Sequence, residues 1–311
     1  MPKALTTLLA TLFLGLVLSA SAQDDTYYWI SHGDPADPVW TYFLEGAELW
    51  SDVTGNQVNT SFHSGDVPNH QEAFRAAITA GAAAIVSSTP DPGALDQVIE
   101  EAHARDIPVV IINTEDADSG RDAYVGGDTV DTGRRWAQYL VDNGHVEEGS
   151  FVWMPVEVPG ATYQTLATEG IASVFDPLGV EYEVTEATLD QAEIITRMSD
   201  YLLANQGRID AIIGLGDLVT GSIARVFDQV GVQPGDIPVV GWGNSADTAQ
   251  EVLDGYVQAA MWQDPQATSY MGLSVASMAA NGVPPGFDIV VGTLYEADTA
   301  QTYLDIMTGG N

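Results

Sequence analysis

Along most of the chain, short apolar runs alternate with longer stretches in which apolar residues return at i, i+3, i+4 and i+7. The runs "TYYWIS", "QVNTSF", "AAAIVSS", "IPVVIIN", "AYVGGD", "SFVWMP", "VEYEVTEA", "AIIGLG", "IPVVGW" and "VQAAMW" read as β-strands. Intervening segments such as "GALDQVIEEAHARD", "DTGRRWAQYLVDNG", "IITRMSDYLLANQG" and "LVTGSIARVFDQVG" have the helical period. Strands that are apolar almost throughout and alternate with helices belong to parallel sheets covered on both faces. The fold class is therefore α/β and doubly wound. Ten strands are many for one such sheet, so the pattern predicts two sheets of about five or six strands each. No low-complexity linker separates them, and a crossover near Gly126 and Gly127 in "YVGGDTVDTGRR" is a natural boundary.

The first 22 residues are set apart from this pattern. "MPKALTTLLATLFLGLVLSASA" has a basic start at Lys3, a short apolar stretch and the ending Ala20-Ser21-Ala22, which is the pattern of a secretory signal peptide cleaved before Gln23. With no cysteine in the chain, neither a disulfide nor a lipid anchored on cysteine is expected. A free protein in the periplasm, or a secreted one, is the expectation.

Charge narrows the function further. The chain has 9 Lys and Arg against 44 Asp and Glu, a formal net charge of −35 at pH 7. Its single lysine, Lys3, belongs to the leader. So few cations exclude a phosphate-backbone partner, and nucleic acid is not expected. Schiff-base and P-loop chemistry both require a lysine that the processed chain lacks. Carboxylates at this density repel one another unless salt screens them, so the excess reads as the surface of a halophilic protein. The five histidines show no HxH or HExxH spacing, and no EF-hand loop, G-x-G-x-x-G or G-x-S-x-G occurs. No cofactor and no metal site are expected.

In open parallel sheets ligands bind beyond the carboxyl ends of the strands. The residues there include Asp34, Asp37, Trp40, Ser87, Ser88, Asn113, Thr114 and Glu115 in the first half. The second half adds Tyr163, Gln164, Asp190, Gln191, Asp217, Asn244, Gln263 and Asp264. Carboxylates and amides suit vicinal hydroxyls, and an indole stacks on the apolar face of a sugar ring. The inventory is that of a sugar or polyol site. Several members have structural alternatives: Asp37, Asp128 and Asp217 suit helix N-caps, and Trp40, Trp242 and Trp262 suit a core.

Five blocks carry a family resemblance, in order along the chain. They are "DPVWTYFLEGAELW", "AAIVSSTPDPGALDQVIEEAHARDIPVVIIN", "YVGGDTVDTGRRWAQYL", "RIDAIIGLGDLVTGSIARVFDQVG" and "IPVVGWGNSADTAQEVLDGYVQAAMWQDPQ". Together they resemble the type I periplasmic sugar-binding proteins of ABC transporters, the group that includes ribose- and galactose-binding proteins. The resemblance implies two Rossmann-like domains joined by three crossovers. It places one lobe at 23–127 plus 264–291 and the other at 128–263 plus 292–311. It also implies a non-enzymatic receptor, expected as a monomer, that closes on a small sugar or polyol and hands it to a permease in the inner membrane. A receptor for a sugar-like signalling molecule, read by a chemoreceptor or sensor kinase, is the alternative.

Carried over by position, the resemblance makes Asp37, Trp40, Ser88, Asn113, Gln164, Asp190, Asp217, Asn244 and Gln263 the ligand-binding set. Asp37 stands at an amide position of the first turn and Trp40 at a stacking position. Ser88 replaces an amide and Asn113 an aspartate, while Gln263 matches the family's glutamine. Thr114, and Gln164 or Thr165, fall where the family often has arginine, and "GWGN" replaces "GFD". Without those arginines the resemblance points to a polyol, a deoxysugar, a branched sugar or a pentose held by amides and acids.

Overall fold

The structure is a computed structural model that describes residues 25–89 and 91–309; the leader expected at 1–22 lies outside the described residues. The first half of the chain runs β1 (Thr26–Ser31), α1 (Pro38–Thr54), β2 (Gln57–Phe62), α2 (Val67–Ala80), β3 (Ala84–Ser88), α3 (Asp96–His103), β4 (Val109–Asn113) and β5 (Ala123–Gly126). It continues through α4 (Thr129–Asp142), β6 (Phe151–Val156), α5 (Thr162–Leu178), β7 (Glu181–Glu186), α6 (Gln191–Ala204) and β8 (Ala211–Gly214). Next come α7 (Asp217–Thr220), α8 (Ile223–Val230), β9 (Val239–Trp242), α9 (Ala246–Leu253) and β10 (Ala259–Trp262). The chain ends with α10 (Pro265–Ala280), β11 (Ile289–Val290), β12 (Thr293–Glu296) and α11 (Ala300–Thr308).

These strands form two six-stranded sheets, ordered β11-β5-β4-β3-β1-β2 and β12-β10-β9-β8-β6-β7. All pairings are parallel except β10 with β12. The chain passes between the sheets three times: after β5, after β10 and between β11 and β12. This is the type I periplasmic binding protein fold, two α/β units of the doubly wound kind that the alternating pattern predicts.

Burial explains the pattern. The central strands β3 and β6 are buried along their whole length, while the edge strands β2 and β7 are partly exposed and correspondingly mixed in sequence, as in "QVNTSF" and "EYEVTE". Two features differ from the sequence expectation. The segment "LVTGSIARVFDQVG" is not one helix but two, broken at Gly221 and Ser222. Thr220 and Ser222 there donate their hydroxyls to the carbonyls of Gly216 and Leu218, which competes with regular backbone pairing. Strands β11 and β12 are not in the predicted set. β11 is two residues long, and β12 is a partly exposed antiparallel edge without an apolar run.

Each unit has one helix pair in backbone contact through glycine. A β-carbon on Gly46 of α1 would lie 2.0 Å from the carbonyl oxygen of Gln266 in α10. In the other unit, carbons on Gly133 and Gly170 would lie 2.0 and 1.9 Å from the carbonyls of Ala167 and Val130, across α4 and α5. Adding even a methyl group forces two helix backbones apart. Gly170→Ala is expected to lower stability by about 1–3 kcal/mol, read as a lower urea midpoint with unchanged slope. Gly286→Ala, where the added carbon meets nothing, is the near-neutral control.

Candidate functional site

The carboxyl ends of both sheets open onto one cleft of about 1160 Å³. From the first sheet it takes His32, Asp34, Asp37 and Trp40 after β1, Ser64 after β2, Asp91 after β3, and Asn113 with Thr114 after β4. The second sheet contributes Glu157 to Ala161 and Tyr163 after β6, Gln191 after β7, Asp217 after β8, Trp242 and Asn244 at β9, and Gln263 after β10.

Of the residues expected to bind ligand, Asp37, Trp40, Asn113, Asp217, Asn244 and Gln263 line this cleft. Asp37 is both a cap and a wall residue, its Oδ1 accepting from the Val39 amide at 3.2 Å. Trp40 is 7% exposed, packed among Tyr27, Trp29 and Phe43, and shows the cleft only a margin. It lies so close over Gly33 that a β-carbon there would be 2.1 Å from the indole. Asn113 has a left-handed backbone, φ 68°, which asparagine tolerates better than most residues. Its carbonyl accepts from the Tyr124 hydroxyl at 2.6 Å, and the same hydroxyl donates to the Gly127 carbonyl at 2.8 Å.

Asp217, Asn244 and Gln263 form one network. The Asn244 backbone amide and Nδ2 donate to the two Asp217 carboxylate oxygens at 2.6 and 2.8 Å. Nδ2 also donates to Gln263 Oε1 at 2.9 Å, and Asn244 Oδ1 accepts from the Gln263 backbone amide at 2.8 Å. Both Nδ2 protons of Asn244 are thereby engaged, whereas Gln263 Nε2 makes no hydrogen bond among the described residues and remains available to a ligand.

Ser88, Gln164 and Asp190 do not line the cleft. Ser88 is fully buried, its hydroxyl bonded to the His32 amide at 3.1 Å and in contact with His32 Nδ1 at 2.8 Å. Gln164 accepts from the Gly160 amide and donates to Thr168 Oγ1, both at 2.9 Å, which pins the turn after β6. Asp190 is exposed and caps α6 through the Glu193 amide at 2.9 Å. Ser88 and Gln164 therefore stand behind residues that do reach the cleft. Asp128 takes its structural alternative and caps α4.

Glu157 and His32 are cleft residues that the sequence reading passed over. The apolar run "SFVWMP" ends at Pro155, but the strand continues through Val156, which makes Glu157 the first residue beyond it. His32 directly follows β1 and sits edge-on to Trp40 at 4.9 Å between ring centres. Applying the strand-end rule to the full length of both strands finds them.

The electrostatics follow from crowding acids at a water-poor boundary. Burial, with the nearby charges of Asp217 and Asp37, pushes the Glu157 carboxyl up to about 8, although its Oε1 accepts from the Leu218 amide at 2.8 Å. Asp217 is pushed up to about 7, chiefly by burial, against the pull of the Asn244 hydrogen bonds. Asp37 is raised by burial as well. Burial holds the His32 imidazole down to about 4, so it is neutral at pH 7. Among the described residues, no arginine or lysine lines the cleft.

A paired-sheet cleft lined by amides, acids and aromatic rings defines a small-molecule binding protein. The model of the periplasmic binding protein domain matches residues 28–284, and the chain belongs to that family. It is similar to the ribose import binding protein RbsB of Bacillus subtilis (strain 168), with 22% identity over 246 residues, 79% of each chain. Among solved structures, it resembles a carbohydrate transporter protein from Acidothermus cellulolyticus 11B in complex with myo-inositol. That likeness has a TM-score of 0.80 at 20% identity and covers 92% of this chain and 98% of that one. It also resembles an ABC transporter solute-binding protein from Burkholderia graminis C4D1M in complex with D-arabinose, with a TM-score of 0.81 at 20% identity, covering 91% and 98%.

The raised carboxyls set a pH dependence. Because Glu157 and Asp217 hold protons in the folded state that they release when unfolded, folding takes up protons between about pH 4 and 8, and their contribution to stability falls as pH rises. Glu157→Gln is therefore expected to raise the melting temperature at pH 8.5 (about half a unit above its folded value) and to change it little near pH 4. Thermal unfolding of both proteins across that range checks it.

Proposed function

We propose that this protein is the solute receptor of an ABC transporter, taking a small sugar or polyol into the cleft and delivering it to a membrane permease. The observation that carries the reading is the cleft itself. The available amides of Asn113 and Gln263 face carboxylates and aromatic edges across a space of about 1160 Å³, the chemistry that vicinal hydroxyls require. The ribose, myo-inositol and D-arabinose named for the relatives support the same substrate class. In this reading the lobes are 23–127 plus 264–291 and 128–263 plus 292–311, hinged through the three passages and closing on the ligand. The six cleft-lining candidates make contact, while Ser88 and Gln164 hold His32 and the 157–161 turn in place. The receptor acts by binding and not by turnover, as a monomer in the periplasm after loss of the leader. Its acid-rich surface is matched to salt.

A thermal-shift screen in about 2 M salt against pentoses, hexoses, deoxysugars, branched sugars and polyols tests this. A ligand present at a hundredfold excess over its Kd adds about 2.7 kcal/mol to stability. One compound class is expected to raise the melting temperature, with the shift lost on Asn113→Ala or Gln263→Ala. It should be kept on Asp190→Asn, which preserves the cap of α6. A folded protein that no sugar or polyol shifts would overturn the reading.

A further inference from the structure

We infer that the ligand of this cleft carries a protonated amine among its hydroxyls, as an amino sugar or aminodeoxy polyol does, with the ammonium group seated between carboxylates of the two facing walls. The inference rests on the carbohydrate-receptor reading and specifies its substrate class.

The first ground is where the charges stand. Asp37 projects from the wall built on the first sheet, and Glu157 and Asp217 from the wall built on the second. None of the three forms an ion pair among the described residues. Arg75, Arg121, Arg134, Arg197 and Arg208 all pair with carboxylates outside the cleft, and Arg225 pairs with Asp247 at its edge. The histidine in the cleft, His32, is neutral. The inner cleft thus sets carboxyl groups on both facing walls with no counter-charge of its own, and Glu157 and Asp217 keep protons near pH 7 while it is empty.

A second ground is unused hydrogen-bonding capacity. Asp37 accepts through Oδ1 from the Val39 amide, and no donor among the described residues bonds Asp37 Oδ2; Glu157 has only backbone amides, those of Leu218 and Val219, for partners. Both acids lie close enough to Asp217 for their charges to be felt there or to feel it. A neutral polyol can donate hydroxyl protons to these oxygens, but it gives the crowded acids no counter-charge. An ammonium group donates three hydrogen bonds and supplies the positive charge beside which these acids ionise. Tyr163 and Trp242 supply aromatic surface beside the acids, which also favours a cation over a neutral group.

Two other occupants fit less well. A divalent metal needs a converging ligand set, and among the described residues no group of three or more His, Asp or Glu is so placed. A hydroxyl-free polyamine would leave Gln263 Nε2 without a partner, a loss that closing the cleft over it makes expensive.

Matched pairs separate these possibilities by calorimetry: 1-amino-1-deoxysorbitol with sorbitol, 2-amino-2-deoxyglucose with glucose, and 2-amino-2-deoxygalactose with galactose. 1,4-Diaminobutane serves as the hydroxyl-free cation. Folding is confirmed by circular dichroism at each salt concentration. In at least one pair the amine is expected to bind about tenfold or more tightly than its hydroxyl partner. That advantage should shrink between about 0.3 and 2 M salt as the Debye length contracts. It should also collapse in Glu157→Gln and in Asp37→Asn, which keeps the helix cap, each variant weakening the amine far more than its hydroxyl partner so that the ratio within the pair falls toward one. Neutral members binding as tightly as their amines would overturn the inference and leave the carbohydrate receptor standing. Binding of 1,4-diaminobutane as tight as that of any amino sugar or polyol would overturn it too, because the hydroxyls would then contribute nothing. Silence from every compound would overturn both the inference and the reading beneath it.

Discussion

Parallel pairing is the constraint on which the rest of the molecule depends. A parallel strand can follow its neighbour only if the chain first returns to the starting edge, so each crossover delivers another loop to the same end of the sheet. Here that rule operates twice, and the two loop-bearing edges face each other. Most of the cleft wall is therefore strand ends and the turns that follow them. The same geometry accounts for the dual use of several residues. Asp37 caps α1 and faces the cleft, and Asp217 opens α7 while anchoring Asn244.

The cleft is polar in a particular way. Its amides are arranged by a network that engages both Nδ2 protons of Asn244 and leaves Gln263 Nε2 free, so the contact group is oriented before anything binds. Its acids are crowded, partly withdrawn from water and uncompensated by arginine. In a chain of net charge −35 it would be easy to treat these carboxylates as part of the general acid excess. Their position says otherwise, because surface acids gain hydration and these lose it. Acids that share a cleft across two bodies set an electrostatic term on how closely those bodies approach.

Much of the fold was legible from periodicity because buried parallel strands leave long apolar runs, as in "IPVVIIN" and "SFVWMP". β11 and β12 were not, since neither owes its pairing to a local apolar signal: β11 is completed by β5, and β12 by β10. The strand-end rule located the cleft, but chain position alone does not tell which way a side chain turns. Asp190 sits at a strand-to-helix junction like Asp37, yet its exposed side chain caps α6 while its neighbours Leu189 and Gln191 line the cleft. Gln164 and Ser88 are similarly engaged by near neighbours, Gly160 and His32. Glu157 was hidden by a proline that looks like a strand terminus and is not one. These distinctions depend on local hydrogen bonds that only three-dimensional geometry reveals.

The three passages between the sheets also order events in time. The indole of Trp29 donates to Ser269, 240 residues further along the chain, and α10 packs on β3, β4 and β5. β11, at 289–290, completes the sheet that β1 begins. The amino-terminal half is thus unable to assemble its full core until nearly the entire polypeptide is present. Such long-range closure slows folding, because the entropy of joining distant segments is lost before their contacts form. A chain emerging amino end first from the ribosome keeps that first half incomplete until Val290 has followed.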